Sequence, residues 1–193
     1  MQKLHKAQGS NEKPWVVCIL IYKTVLISSP FLTNLTLNTL IMGMTFSEYK
    51  QEVEKKFGEC TILHSYADLK KKNCGNTGDR IAYKGVSWID YWRAMTRKTA
   101  ATMRCSSCGK EIFVGEPTSA QKETFSKGDD KVEKHRAHGG HIWVDHPANK
   151  EYTGGRYITP LCPECNGQHG KEIDIRKGSI YCKELGATIS DDK

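Results

Sequence analysis

Two cysteine pairs constrain this chain more than any other feature. The first is Cys105-Ser-Ser-Cys108, and the second is Cys162-Pro-Glu-Cys165, more than fifty positions later. Each C-x-x-C unit turns two thiolates toward one point, and four thiolates at about 2.3 Å complete the closed tetrahedral shell of a structural Zn²⁺ site. We therefore predict one zinc ion shared by the four cysteines. A redox pair is disfavoured, because the unit occurs twice and no thioredoxin-like βαβ pattern surrounds either copy.

The chain is short and mildly basic. Its 193 residues suffice for one domain, or for one domain with an appendage. Of the formal charge of +7, residues 1–43 contribute +3, because four lysines stand against one glutamate, and the rest carries +4. Four zinc-bound thiolates with their ion would lower that remainder to about +2. Net charge alone therefore does not indicate nucleic-acid binding, although a local basic patch could attract phosphates.

Cysteine usage and hydropathy bear on the compartment. The eight cysteines, four of them in metal-type pairs, fit a reducing environment better than a disulfide scaffold, and we predict a cytoplasmic protein. Residues 15–22 and 24–27 are apolar, but joined across Lys23 they reach only about a dozen residues, short of the roughly 20 that span a bilayer. A signal peptide is the alternative. The long polar start and the absence of a small-x-small cleavage site argue against it.

The folded part is predicted to begin near Met44. Residues 45–57 have a threonine N-cap, early acidic residues, late lysines and a following Gly58, which together are typical of a helix. Translation starting at Met44 or Met42 would explain why residues 1–43 differ from the rest. The other interpretation is that residues 1–43 are a disordered extension.

A second helix is predicted at residues 88–103, capped by Ser87, so that residues 44–103 form a helical region. Trp88, Trp92 and Met95 share one face at helical spacing, which indicates core packing rather than nucleobase stacking. The helix is expected to lead directly into the first cysteine pair.

The remaining segments before the second cysteine pair are less regular. Residues 60–69 could form a strand or a short helix, and residues 70–79 are predicted to be a loop by their glycine, asparagine and charge content. Residues 117–138 form a charged insertion without a clear period, which predicts an exposed loop.

The region around the second cysteine pair has a recognisable order. Residues 141–144 and 156–159 read as two short strands joined by a turn at 149–155, and the second cysteine pair then opens a short helix. This is the order of a treble-clef zinc unit: a cysteine turn, or knuckle, then a strand that begins with histidine, a turn, a second strand, a second knuckle and a helix. We predict an α+β fold in which residues 104–193 form a small treble-clef, ββα-metal zinc domain preceded by two helices.

At this point the chain resembles the HNH endonucleases, the zinc-stabilised branch of the His-Me finger nucleases. Their pattern combines a C-x-x-C unit, a histidine followed by an apolar residue, and Leu-Cys-x-x-Cys followed by His or Asn. The matching stretches are Cys105-Ser-Ser-Cys108, His141-Ile142 and Leu161-Cys-Pro-Glu-Cys-Asn166. The resemblance covers about residues 104–175.

The resemblance implies hydrolysis of phosphodiester bonds in DNA, or in RNA, assisted by Mg²⁺ or Mn²⁺. His141 would be the general base that activates water, and Asn166 would be a ligand of the divalent ion. His169, one helical turn further on, would assist the ion or a phosphate. DNA or RNA would be the partner.

The match to the HNH pattern departs at two places. Gly140 stands where the family usually has an ion-binding Asp or His, and no asparagine near residues 157–159 could orient the histidine. Replacement ligands could come from His138, Asp145 or His146, but each of these is more often a solvated loop residue.

These departures lead to a second functional hypothesis. The chain could be a catalytically silent zinc module that binds nucleic acid or a protein partner, such as an accessory or inhibitory factor from a phage or mobile element. His141 would then be a hydrogen-bonded structural residue beside the zinc knuckle.

Two further groups of residues have competing interpretations. A second metal site could be built from Cys60, His64, Cys74 and Cys182, but their irregular spacing favours free or buried thiols. Lysines 70–72 and the basic residues within 131–136 could bind phosphates, but charged loop runs are usually solvated. No Walker loop, dinucleotide fingerprint or nucleophile elbow is present in the sequence.

Overall fold

The architecture is taken from a computed structural model. It describes residues 40–41, 43–75, 81–126, 131–145 and 154–186. The predictions for residues 1–39 and Met42 lie outside the described residues. So do most of the predicted turn at 149–155, part of the predicted loop at 70–79, and His146.

The described chain begins with a small hairpin and the first predicted helix. Strand β1 (Leu40–Ile41) pairs with β2 (Met44–Thr45), and helix α1 (Phe46–Phe57) follows at once. Thr45 and Glu48 form a reciprocal capping box, with lysines in the last turn, as the sequence predicts. The ordered pairing thus includes two residues upstream of Met44.

A six-stranded antiparallel sheet forms the centre of the fold, in the spatial order β3-β10-β8-β7-β4-β9. Its strands are β3 (Ile62–His64), β4 (Leu69–Asn73), β7 (His138–Val144), β8 (Gly155–Leu161), β9 (Glu172–Ile175) and β10 (Ile180–Lys183). The long hairpin β7–β8 runs in unbroken register from His138 opposite Leu161 to Val144 opposite Gly155. Because the register has no bulge, alternate residues of β7 face opposite sides of the sheet.

Helix α2 (Trp88–Thr96) covers one face of this sheet. Ser87 caps it, and Trp88, Trp92 and Met95 are buried in the core, as predicted. Two aromatic side chains of α2 also form hydrogen bonds through their polar atoms. The Tyr91 hydroxyl donates to the Lys183 carbonyl, and Trp92 Nε1 donates to the Ile180 carbonyl. These bonds attach the helix to β10.

The second helix is shorter than predicted. It ends at Thr96 because Arg97 adopts a left-handed conformation, with φ of 57°. Arg97 N and Lys98 N donate to the carbonyls of Ala94 and Arg93, the hydrogen-bond pair of a Schellman motif. The prediction that the helix leads directly into the cysteine pair is therefore wrong. Strand β5 (Thr102–Arg104) intervenes and pairs with β6 (Glu111–Phe113).

Two segments predicted as loops contain regular structure. Residues 69–73 form β4 between β7 and β9, so the loop prediction there is wrong, whereas the strand alternative for residues 60–69 is confirmed by β3. The charged insertion contains helix α3 (Ser119–Phe125) and a 3-10 helix (Val132–His135). The buried rings of Phe113, Phe125 and His135 stack in a small satellite core, which gives this insertion its order.

The last helix confirms the prediction at the second cysteine pair. Helix α4 (Pro163–Asn166) starts with Cys162 as its N-cap and Pro163 in its first turn. The predicted α+β class is thus confirmed. Within the described residues, no helix is both long and apolar enough to cross a membrane.

Candidate functional site

The four predicted cysteines meet at one point. Cys105 and Cys108 lie in the turn between β5 and β6, while Cys162 and Cys165 lie at the start of α4. All four Sγ atoms are within 4.8 Å of one another, and Cys108 Sγ is 3.7 Å from Cys162 Sγ. A tetrahedral zinc with 2.3 Å bonds requires sulfur–sulfur distances of about 3.8 Å. The predicted clustering is therefore confirmed, and the four thiols fit a structural metal such as zinc.

Backbone amides also organise the cluster. The amide of Cys162 donates to Cys105 Sγ at 3.3 Å, and the amide of Cys165 donates to Cys162 Sγ at 3.5 Å. The pKa of Cys105 is lowered to about 4, first because its sulfur accepts from the Cys162 thiol and also because backbone amides point at it. Burial raises the pKa of Cys165 to about 11. A divalent cation is therefore needed before all four sulfurs can be thiolates together.

Two polar contacts that sequence reasoning missed hold the knuckles against the sheet. Asn73, fully buried in β4, donates from Nδ2 to the carbonyls of Cys165 and Asn166 at 3.1 and 2.9 Å. The hydroxyls of Ser106 and Thr159 are 2.7 Å apart and connect the first knuckle to β8. Neither contact had a sequence signal, since Asn73 ends a lysine run that reads as a loop.

His141 lies in the core rather than at a surface cleft. Its side chain is only 3% exposed, and its ring meets Trp88 edge to face at 4.9 Å. His141 Nε2 lies 3.8 Å from the buried carboxylate of Glu184. This environment matches the structural interpretation of the histidine.

His141 and Asn166 do not share a site. Gly140 faces Asn166, because a Cβ built on Gly140 would come within 2.9 Å of Asn166 Oδ1. The next residue in the strand, His141, points to the other face, where it meets Trp88. The geometry therefore separates the expected general base from the expected metal ligand by the thickness of the sheet.

Close packing explains why residue 140 is a glycine and not a metal-binding aspartate or histidine. A Cβ at this position would lie 2.3 Å from Leu161 Cδ1, well inside any real contact. An aspartate or histidine has no room there. The residue opposite His141 on β8 is Ile158, so no asparagine orients the imidazole from that strand either.

The other predicted site residues are dispersed. His169 is exposed in a turn after α4 has ended, so the expectation that it continues the same helix is wrong. His138 starts β7 on the same face as Gly140, and partial burial, followed by the charge of Arg136, lowers its pKa. Asp145 follows the other end of β7 and accepts a hydrogen bond from Trp143.

The second proposed metal set is not assembled. Cys60 and Cys182 are buried beside Tyr91. His64 is exposed, and Cys74 directly follows the last residue of β4. Across the described ranges, only the four-cysteine cluster brings three or more metal-binding side chains together. All seven cysteines in those ranges are free thiols, which confirms the alternative interpretation.

The predicted lysine patches are partly neutralised. Lys70 and Lys72 stand opposite Asp174 and Glu172 in the sheet register. Arg136, in the other basic run, pairs with Glu133 and Glu116. Solvated charge is therefore the better description of both runs.

A different set of cations forms a groove next to the cysteine cluster, which we call the basic groove. Its cavity volume is about 400 Å³, and its floor includes Cys105, Ser106 and Pro160. Its four cations, all exposed, are Lys98, Arg104, Arg176 and Lys177. None of the four forms an ion pair with a carboxylate in the part of the chain that the structure describes, and no acidic residue lines the groove.

The first cysteine turn shapes this groove directly. Arg104 Nη1 and Arg176 Nη1 approach the carbonyls of Gly109 and Cys108 at 3.4 and 3.5 Å. Gly109 has φ of 75°, and the Arg176 guanidinium occupies the space where a Cβ would be. The position of these cations thus depends on the turn that carries Cys105 and Cys108.

Comparisons of the chain with protein families, with curated proteins and with solved structures found no match.

Proposed function

We propose that this chain is a zinc-stabilised module that binds the phosphate backbone of nucleic acid through the basic groove. The observation that carries the proposal is the set of four exposed cations without carboxylate partners beside the cysteine cluster. Elsewhere, cations such as Lys50, Lys84 and Arg136 are paired with glutamates. An unpaired cluster of lysine and arginine releases condensed counterions when it meets phosphates, which favours binding.

Zinc would have a structural role in this function. Four thiolates close its coordination shell, so the ion offers no position to substrate. The ion with its thiolates carries −2, and the four groove cations outweigh this charge. Zinc fixes the turn that Arg104 and Arg176 contact, and so it would position the groove.

The order of elements also supports a treble-clef arrangement as the finer fold. The first cysteine turn, the hairpin β7–β8 and helix α4 follow one another in that order. The resemblance to HNH endonucleases then concerns the scaffold. A nuclease mechanism through His141 and Asn166 has no geometric support, because their side chains lie on opposite faces of the sheet.

Fluorescence anisotropy with labelled single-stranded DNA, duplex DNA and single-stranded RNA at several salt concentrations tests the proposal. We expect Arg176→Gln and Lys177→Gln each to weaken binding about equally for all sequences. Each should also lower the slope of log affinity against log salt by about 1. Lys55→Gln and Lys122→Gln, exposed on helices away from the groove, are matched controls and should bind like the native chain.

Two results would overturn the proposal. One is the absence of binding at low salt, and the other is unchanged affinity in the groove variants. Incubation of the same nucleic acids with Mg²⁺ or Mn²⁺ tests the nuclease alternative. We expect no cleavage, and cleavage that is lost in His141→Ala would instead favour the HNH mechanism.

A further inference from the structure

A second cavity lies where strands β4 and β7 end and strand β8 begins. Its volume is about 460 Å³, within the range of small-ligand sites. Its lining residues are Lys72, Cys74, Gly75, Trp143, Asp145 and Arg156. We call it the Trp143 pocket. It shares no lining residue with the basic groove.

Trp143 presents an open aromatic face in this pocket. Its side chain is 43% exposed, which is unusual for a tryptophan in a strand that is paired on both sides. Trp143 Nε1 donates to Asp145 Oδ1 at 3.0 Å, so the indole is held in one orientation. No cation or second ring covers the indole face among the described residues. A flat ligand ring could therefore stack on it.

Two cations flank the indole across the sheet. The register places Lys72 opposite Trp143 on one side and Arg156 opposite it on the other. Residues directly opposite in antiparallel strands have Cβ atoms about 4.5–5.5 Å apart. Lys72, Trp143 and Arg156 thus form one row on the same face, with the aromatic residue at the centre.

Arg156 lacks a carboxylate partner although it is half-buried. Its Nε is inaccessible to water and has no hydrogen-bond acceptor, and no ion pair involves Arg156 within the described ranges. A partly buried guanidinium without an anion is unfavourable. An anionic group in the pocket would supply the missing partner, and a phosphate matches the guanidinium geometry.

The charges around the pocket permit an anion there. Lys72 and Arg156 contribute two positive charges, and Asp145 contributes one negative charge that is engaged by the indole N–H. Behind the pocket the Glu184 carboxylate lies next to His141 and acts on Cys74, and Glu172 stands opposite Lys72 in the sheet. Burial is the main cause that raises the pKa of the Cys74 thiol, and the nearby charge of Arg156 acts in the opposite direction.

We propose that the Trp143 pocket binds a nucleotide, with the base stacked on the indole and the phosphate held by Arg156 and Lys72. Base stacking on an aromatic side chain combined with arginine and lysine contacts to phosphate is a common way to bind a single nucleotide. The nucleotide could be free or an unpaired residue of a strand. The proposal does not depend on the basic groove.

Calorimetric titration with AMP, CMP, GMP and UMP tests this site, with ribose 5-phosphate and inorganic phosphate as ligands that lack a base. We expect the mononucleotides to bind more tightly than either. Bound nucleotide should also quench the fluorescence of Trp143, and this quenching should be absent in Trp143→Phe. An unlabelled single-stranded oligonucleotide in the same fluorescence assay distinguishes a strand from a free nucleotide as the source.

Variants separate the parts of the site. Trp143→Ala should weaken nucleotide binding by about 5- to 150-fold, and Trp143→Phe should largely retain it. Arg156→Gln should lose about tenfold or more, with Arg156→Lys as a charge-retaining variant in case the first does not fold. Tyr66→Ala, an aromatic residue 85% exposed outside the pocket, and Lys70→Gln, on the same strand as Lys72, are the controls.

Each possible result of these experiments either supports or overturns the nucleotide-binding proposal. Mononucleotide binding that Trp143→Ala weakens supports a free nucleotide, and quenching of Trp143 by the oligonucleotide alone supports an unpaired nucleotide in a strand. Inorganic phosphate that binds as tightly as AMP would overturn the proposal, as would a lack of Trp143 quenching by any of these ligands. Groove variants should leave mononucleotide binding unchanged, so the failure of one proposal is distinguishable from the failure of the other.

Discussion

Single residues connect the cysteine cluster to the sheet. Asn73 is buried in β4 and donates two hydrogen bonds to the carbonyls of Cys165 and Asn166. Gly140 permits the close approach of Leu161 and Asn166 to β7. Residues that orient a metal-binding segment without touching the ion commonly decide its affinity. The environment of this cluster is therefore set by an asparagine and a glycine as much as by its four thiols.

Replacing Asn73 by alanine should weaken metal binding and destabilise the fold. Two carbonyls would each lose one donor, which costs about 1–3 kcal/mol, and zinc affinity should fall by about 10–100-fold. Competition with a chromogenic chelator measures the zinc affinity, and urea unfolding measures the stability. Lys70→Ala, exposed on the same strand, serves as the control. Equal affinities in the two variants would contradict the assigned role of Asn73.

At the scale of elements, local chain conformation decided where the second helix ends. Residues 97–103 keep helix-compatible composition, yet Arg97 takes a left-handed conformation that is unfavourable for residues other than glycine. Strand β4 shows the converse case. Its sequence Leu-Lys-Lys-Lys-Asn has no strand alternation, and it is a strand because β7 and β9 flank it on both sides.

The end of α2 offers a direct test. Arg97→Gly should raise the free energy of unfolding by a few tenths to about 1 kcal/mol, because glycine adopts positive φ without a steric penalty. Thermal and urea unfolding measure the change. Gln51→Gly, at an exposed position in the interior of α1, should lower stability by about 1 kcal/mol. If both substitutions destabilised the protein equally, the left-handed cap would not be the reason that the helix ends.

At the scale of the whole molecule, the cysteine cluster joins distant parts of the chain. Cys105 and Cys162 lie 57 positions apart, and between them run β6, α3 and β7–β8. Without a cation, four adjacent sulfurs cannot all ionise, and the two cysteine turns are no longer held together. Metal binding and folding are therefore expected to be coupled.

Metal analysis of purified protein should find about one zinc per chain, and Cys162→Ser should unfold or aggregate because zinc binding contributes to folding. Emission spectrometry of the protein gives the zinc content, and circular dichroism during chelation follows unfolding. Cys74→Ala, a buried thiol outside the cluster, should retain the zinc. A native thermal transition that persists after complete zinc removal would rule out this coupling.

Several features of this protein could be predicted from local patterns in its sequence. The two C-x-x-C units predicted the four clustered thiols, because two such units in one chain are typical of a shared metal site. The capping signals of α1, the apolar spacing of Trp88, Trp92 and Met95, and the strands on either side of residues 149–155 were readable because each depends on local chemistry.

The remaining features of the protein depend on contacts between distant parts of the chain. His141 and Asn166 stand in a nuclease-like order in the sequence, but the pleat of β7 directs His141 toward Trp88, on the face of the sheet opposite Asn166. The basic groove and the Trp143 pocket combine residues from separate elements, and no single stretch of sequence contains either. Which side chains share a surface depends on strand register and packing between distant segments, and these long-range relations are not encoded in any local pattern.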